Sequence, residues 1–125
     1  MSWEVEYTDE FDEWWQRLSE EDQEAIDVAV EQLESKGPAL GRPFVDQIKL
    51  SRHKNMKELI PLGSDIRILF ALDPRRMAIL LIGGDKSGQW DSWYKRNVPK
   101  ADKLLDEHLV TLRQEADKAR HAKDS

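Results

Sequence analysis

Residues 66–83 read IRILFALDPRRMAILLIG, two apolar runs separated by a Pro-Arg turn. Each run has the length of a β-strand, and proline presets the backbone for a reversal of the chain. The second run, Met77–Ile82, is apolar on both faces, which predicts a central strand that is covered on both sides. The stretch therefore predicts an antiparallel hairpin at the centre of the fold.

Candidate strands at Val45–Leu50 and Met56–Leu62 precede this hairpin, and Gly63-Ser64 marks a turn that joins them to it. Together these segments predict an antiparallel meander. At the N-terminus, Trp3–Tyr7 alternates apolar and acidic residues, which predicts a strand with one buried face.

Two amphipathic helices are predicted between the first strand and the meander. Apolar residues recur at helical spacing from Phe11 to Leu18 and again from Ile26 to Leu33. Ser19 with Asp22 resembles a capping box, and Gly37 followed by proline ends the second helix. The pattern is typical of an antiparallel helical hairpin.

A third helix is predicted to begin near Val98-Pro99, and residues 113–125 form a charged tail that we expect to be a frayed or solvated helix. The sequence shows no internal repeat and no second domain. Residues 1–125 are therefore predicted to be one α+β domain, with an N-terminal strand and helical hairpin packed on an antiparallel sheet meander, plus a C-terminal helix.

The chain of 125 residues contains no cysteine, which excludes thiolate nucleophiles, disulfide frameworks and zinc sites with cysteine ligands. Its longest apolar run falls far short of the ~20 residues needed to cross a bilayer. The N-terminus lacks the basic start and apolar core of a signal peptide. These features predict a cytoplasmic protein with no membrane partner.

Charge is distributed unevenly along the chain. Residues 1–36 hold 13 acidic and two basic residues, a net charge of −11, whereas residues 37–100 hold 12 basic and six acidic residues, a net charge of +6. The total of −6 argues against a nucleic-acid partner, but a partner responds to the local patch. The meander is therefore the region where we expect contact with RNA.

Arg67 lies inside an apolar strand, and a two-residue Pro74-Arg75 turn would place it opposite Ile82, close to the polar loop that carries Lys86. Lys57 lies on the same face as Arg67 if Pro61 pairs with Arg67, and on the other face if Ile60 does. The sequence leaves both registers open.

A cluster of Arg and Lys at a sheet edge suits cleavage of an RNA phosphodiester. RNA supplies its own 2′-hydroxyl nucleophile, so the protein must orient it, move protons and stabilise a negatively charged phosphorane. Lys, His or Tyr are candidates for the general acid or base. Trp90, Trp93 and Tyr94 are candidates for stacking on a base, whereas His108 is expected to pack and hydrogen-bond within the structure.

Four segments together resemble the HigB-like, phage-derived branch of the RelE/ParE toxin superfamily: residues 55–59, 66–71, 79–86 and 93–94. The resemblance covers about residues 3–112. It implies the toxin of a type II toxin–antitoxin pair, an endoribonuclease that cuts mRNA on the ribosome without metal or other cofactor. It also implies a cognate antitoxin of the helix-turn-helix DNA-binding type, so that the toxin meets DNA only through the complex.

By position, the resemblance implies that Arg67 holds the scissile phosphate, with Lys86, Tyr94 and Lys57 as further catalytic residues. Basic and aromatic residues nearby are candidates for RNA binding: Arg52, His53, Lys54, Trp93, Lys95 and Arg96. The alternatives are a ParE-like inhibitor of DNA gyrase, which shares the fold but cleaves nothing, and a member that only binds its antitoxin.

Overall fold

A computed structural model describes residues 3–124 of the chain. In chain order the elements are β1 (Glu4–Tyr7), α1 (Asp9–Gln16), α2 (Glu20–Lys36), a 3-10 turn (Gly37–Ala39), β2 (Val45–Gln47), β3 (Lys57–Leu59), β4 (Ile66–Leu72), β5 (Met77–Asp85) and α3 (Trp90–Asp124). The strands form one sheet in the order β1-β5-β4-β3-β2. β1 pairs parallel to β5 and the other pairs are antiparallel. This architecture confirms the predicted α+β class and the meander.

The sheet separates two apolar clusters because side chains alternate between its faces. On one face, β4 and β5 pack against α1 and α2 through buried residues that include Phe11, Ile26, Leu33, Phe70 and Leu80. On the other face they pack against α3 through residues that include Leu69, Ile79, Leu81, Trp93 and Leu105. β5 has a strand on each edge and a helical layer on each face, as its two-sided apolar sequence predicts.

Both helices of the hairpin have hydroxyl caps at their N-termini, and the cap at Ser19 and the glycine at position 37 confirm the predicted ends of α2. The Thr8 hydroxyl accepts a hydrogen bond from the Phe11 amide at 3.1 Å, and the Ser19 hydroxyl accepts one from the Asp22 amide at 3.2 Å. Each bond satisfies an amide that has no partner within its helix. Gly37 follows α2 with φ of +52°, in the region that favours glycine.

The turn between β4 and β5 differs from the predicted two-residue hairpin. The Asp73 amide donates to the Met77 carbonyl at 2.8 Å across three intervening residues, and the last of these, Arg76, has φ of +67°. A bulge between Leu69 and Phe70 shifts the register once more. Arg67 therefore pairs with Gly84 and not with Ile82 as predicted, because both irregularities add residues to the β5 side.

α3 begins at Trp90, eight residues before the predicted start at Val98-Pro99. Pro99 lies within the helix and lacks the amide that would bond to the preceding turn, but its exposed position leaves that turn in contact with water. The buried side chains of Trp93 and Val98 anchor the segment before the proline. Beyond residue 112 the described side chains are exposed, and the helix continues to Asp124 as a solvated helix.

β5 extends past its apolar run through Gly83 and Gly84 to Asp85. A Cβ built on Gly83 would lie 2.2 Å from a ring carbon of Trp14, and one on Gly84 would lie 2.5 Å from Nε1 of Trp93. The two glycines thus let indole rings from α1 and α3 sit directly on opposite faces of the sheet.

Candidate functional site

Four ionisable side chains converge on the α3 face of the sheet: Glu58, Arg67, Lys86 and Tyr94. Glu58 pairs with Leu69 in the β3–β4 ladder, and Arg67 lies two residues along β4 on the same face. Lys86 directly follows β5, and Tyr94 lies in the first turns of α3. The site is therefore built where β3, β4, β5 and α3 meet.

Lys57 does not join this cluster. It pairs with Phe70, which corresponds to the register in which Ile60 lies opposite Arg67. Its side chain consequently projects from the opposite face of the sheet, the face that packs against the helical hairpin. The structure resolves the two registers left open by the sequence, and it separates Lys57 from Arg67.

The Arg67 guanidinium is held by the backbone at the start of its own strand. Its Nη1 donates to the carbonyl of Ile66 at 2.7 Å and to that of Ser64 at 3.2 Å. Its Nε is buried and has no hydrogen-bond partner among the described residues. Arg67 thus keeps a donor uncommitted in a desolvated position, where an anion would be bound strongly.

Lys86 is 5% exposed. Its Nζ lies 3.5 Å from the centroid of the Trp90 ring and 5.8 Å from that of Tyr94, so aromatic faces enclose the ammonium. Burial and the neighbouring Arg67 charge lower the pKa of Lys86 below its ordinary 10.5. This lysine is closer to neutrality than a surface lysine, which suits a proton donor.

Tyr94 packs edge-on against Trp93, with ring centroids 5.1 Å apart. Burial and the adjacent Glu58 carboxylate raise the pKa of Tyr94 well above its ordinary value, so the phenol keeps its proton at neutral pH. Its hydroxyl is therefore a hydrogen-bond donor within the cluster.

Glu58 is a site residue that reasoning from the sequence missed. It is 8% exposed, and its Oε2 is buried with no hydrogen-bond partner in the described part of the chain. The available signal was its position between Met56 and Leu59, two apolar residues that are fully buried. An acid between such neighbours in a strand is placed to be desolvated, and buried carboxylates are rare outside paired or functional sites.

The predicted RNA-binding residues divide into two groups. Arg52 and His53 are tied to α3: the Arg52 Nη2 donates to the Asp106 carboxylate at 2.6 Å, and the His53 Nε2 lies 2.7 Å from the same carboxylate. Lys54, Lys95 and Arg96 are exposed, and Arg96 hydrogen-bonds to the Gln89 side chain. The second group remains accessible to a polyanion.

Trp93 does not present a stacking surface, because it is 4% exposed and packed in the core against Gly84. Trp90 is 58% exposed beside the cluster. Since base stacking needs an open aromatic face, Trp90 is the better candidate. His108 packs as predicted, with its Nε2 3.1 Å from the buried Asp73 carboxylate.

Within residues 3–124, no three or more His, Asp or Glu side chains are grouped so that they could hold a metal ion. Over the same residues, no helix is long and apolar enough to cross a membrane.

Comparison with known proteins adds to this geometry. The family described as phage-derived protein Gp49-like (DUF891) matches residues 13–106. The chain is 48% identical over 98 residues to the putative toxin HigB3 of Mycobacterium tuberculosis, covering 78% of this chain and 86% of the relative. It is 46% identical over 113 residues to the putative toxin HigB2 of the same organism, covering 88% of this chain. The chain spans 56% of the length of HigB2.

A solved structure shares the fold at low sequence identity. The archaeal RelE–RelB complex of Pyrococcus horikoshii OT3 matches with a TM-score of 0.56 and 13% identity, over 69% of this chain and 97% of that one. At this identity the likeness concerns the fold, which is that of RelE-type proteins.

Proposed function

The chain belongs to the phage-derived Gp49-like family, and from that premise we propose that it is the toxin of a type II toxin–antitoxin pair, an endoribonuclease that cleaves mRNA on the ribosome. Its relatives HigB2 and HigB3 are named as putative toxins, which supports the first part. The observation that carries the second part is the desolvated cluster of Glu58, Arg67, Lys86 and Tyr94, with its uncommitted Arg67 Nε and Glu58 Oε2.

The proposed reaction uses the substrate's own nucleophile. Glu58 accepts the proton of the RNA 2′-hydroxyl, whose oxygen forms a bond to the adjacent phosphorus. The bond from phosphorus to the 5′-oxygen of the next nucleotide breaks, which leaves a cyclic phosphate and a 5′-hydroxyl. Arg67 and Lys86 stabilise the negative phosphorane, since donors in a desolvated site act strongly on developing charge. The proton for the leaving oxygen comes from Lys86 or Tyr94.

Exposed groups around the cluster fit the rest of the substrate. Lys95 and Arg96 lie on the turns of α3 that follow Trp90. In the proposed complex these two cations contact phosphates, and a base stacks on the open indole of Trp90. The Trp90 ring covers Lys86 and must turn aside before the ammonium reaches a phosphate oxygen.

We also propose a cognate antitoxin, of the helix-turn-helix DNA-binding type, as the partner that neutralises the toxin in the cytoplasm. RelE-type structural neighbours occur in complexes with antitoxins, for example the RelB–RelE antitoxin–toxin complex of Methanococcus jannaschii, which supports such a partner.

Induction of the chain in growing cells, followed by mapping of mRNA 5′ ends, tests the nuclease. We expect new 5′ ends within translated regions that disappear when ribosomes are kept off the message. Growth arrest with intact transcripts and blocked DNA supercoiling would instead support gyrase inhibition. Growth without arrest would leave only an antitoxin-binding role.

Replacing Trp90 by alanine tests how the site controls the Lys86 proton. Lys86 acts while protonated, so activity is present below its pKa and lost as the pH rises through it. Trp90→Ala uncovers part of the ammonium and reduces its desolvation, the largest cause of the lowered pKa, so the alkaline limit of cleavage is expected to move to higher pH. Trp90→Phe, which keeps an aromatic cover, is the control and retains a limit close to that of the parent protein.

The measurement is the rate of single-turnover mRNA cleavage on ribosomes across a pH series. An alkaline limit that stays in place in Trp90→Ala would contradict the role of Lys86 as the titrating group.

A further inference from the structure

A groove of about 390 Å³ lies on the face of the molecule opposite the candidate site. Its floor is formed by β1, β5 and both helices of the hairpin, through apolar residues that include Val5, Phe11, Trp15, Ile26, Val30 and Leu80. Phe11 and Trp15 stack with centroids 6.3 Å apart. The space is large enough for a few apolar side chains of another molecule.

The rim of the groove carries Asp12, Asp27 and Glu34, and among the residues that the structure describes no Lys, Arg or His lines it. The surrounding residues 1–36 have a net charge of −11. An RNA backbone would be repelled from this surface, whereas a segment that combines apolar anchors with Lys or Arg would be attracted to it. The charge therefore selects a cationic, amphipathic protein segment.

We propose that this groove is the docking site for a basic amphipathic segment of the cognate antitoxin, an inference that rests on the proposed toxin–antitoxin function. Leu80, at the floor of the groove, and Arg67 project from opposite faces of the sheet. The segment therefore anchors the antitoxin without entering the catalytic cluster, and RNA and this part of the antitoxin can be bound together.

The test compares two charge-reversed toxins with the same net charge. Asp27→Lys with Glu34→Lys changes the rim, and Glu24→Lys with Glu31→Lys changes exposed positions of α2 that do not line the groove. The four positions are exposed, so both variants are expected to fold, which circular dichroism verifies. The probe is the purified antitoxin encoded beside the toxin gene, titrated at low and high salt.

We expect the rim variant to bind the antitoxin about 100-fold more weakly at low salt and to lose most of the salt dependence, with the control pair within about threefold of the parent toxin. Equal weakening in both pairs, or none in the rim pair, would overturn the docking site. Two further results would overturn it. One is protection from hydrogen exchange on an antitoxin segment that has no Lys or Arg. The other is loss of self-association in the rim pair alone, which would assign the groove to a second copy of the chain.

Cleavage of mRNA by the same preparations separates the two proposals. If the parent toxin cuts no RNA and the rim variant still binds the antitoxin more weakly than the parent does, the nuclease proposal is refuted and the docking site is retained. A rim variant that cuts RNA normally and binds the antitoxin normally refutes the docking site alone.

Discussion

Arg67→Ala is expected to lower the rate of mRNA cleavage by about 100-fold to 1,000-fold, the loss typical of removing a donor that stabilises transition-state charge in a desolvated site. Two hydrogen bonds of the guanidinium go to the carbonyls of Ser64 and Ile66, close to Arg67 in the chain, so we expect its removal to leave the sheet intact. Arg67→Lys keeps the charge but not the planar fork and should give an intermediate rate. Single-turnover cleavage of ribosome-bound mRNA measures the effect.

The matched control for this loss is Arg113→Ala, which removes the same charge from an exposed position on the C-terminal part of α3. We expect it to cleave within about twofold of the parent, because an exposed charge distant from the site acts weakly through salt-containing water. If Arg67→Ala cleaved as fast as Arg113→Ala, Arg67 would have no part in catalysis.

Asp73→Ala is expected to lower the free energy of unfolding by about 1–3 kcal/mol, the cost of leaving partly buried hydrogen-bond donors of the turn without their acceptor. The Asp73 side chain is 0% exposed. It accepts hydrogen bonds from the Arg75 amide at 2.8 Å and from the Arg75 Nη2 at 2.7 Å, and it contacts His108 of α3. One carboxylate thus fixes the β4–β5 turn to the long helix.

Urea unfolding of Asp73→Ala, with the exposed Asp91→Ala as control, measures this cost. Burial by itself raises the pKa of Asp73, but hydrogen bonds from Arg75 and His108 outweigh it and hold the pKa below its ordinary 3.8. The stabilisation is therefore complete above pH ~4 and is lost as the pH falls through the lowered pKa. An Asp73→Ala protein as stable as Asp91→Ala would show that the network contributes nothing.

Local signals in the sequence were sufficient for the strands of the meander and for the helical hairpin. Ser19 and Gly37 mark the ends of α2 because a hydroxyl cap and a left-handed glycine act within a few residues of their own position. The apolar run Met77–Ile82 predicts a doubly covered strand because periodicity reports burial directly. The similarity to the HigB-like branch is confirmed by the matched family and by both mycobacterial relatives.

The composition of the site depends on strand register, which the sequence does not encode locally. A shift of one residue in β3 exchanges Lys57 for Glu58 on the face that carries Arg67. The three-residue turn ends at Arg76, whose φ is positive, and no glycine in the turn indicates that conformation. Trp90 and Trp93 look alike in sequence, and only the packing of Trp93 on Gly84 decides which of them stays open.

The indole rings of Trp14 and Trp93 pack directly on Gly83 and Gly84, so only the backbone of β5 separates them at that point. Neither glycine can be replaced without rearrangement, because even a single methyl group at either position would displace a tryptophan from its packing on the sheet. The positions of α1 and α3 on the two faces of the sheet therefore depend on the same two residues. The pair of glycines thus couples the packing of the face that carries the candidate site to the packing of the face that carries the groove.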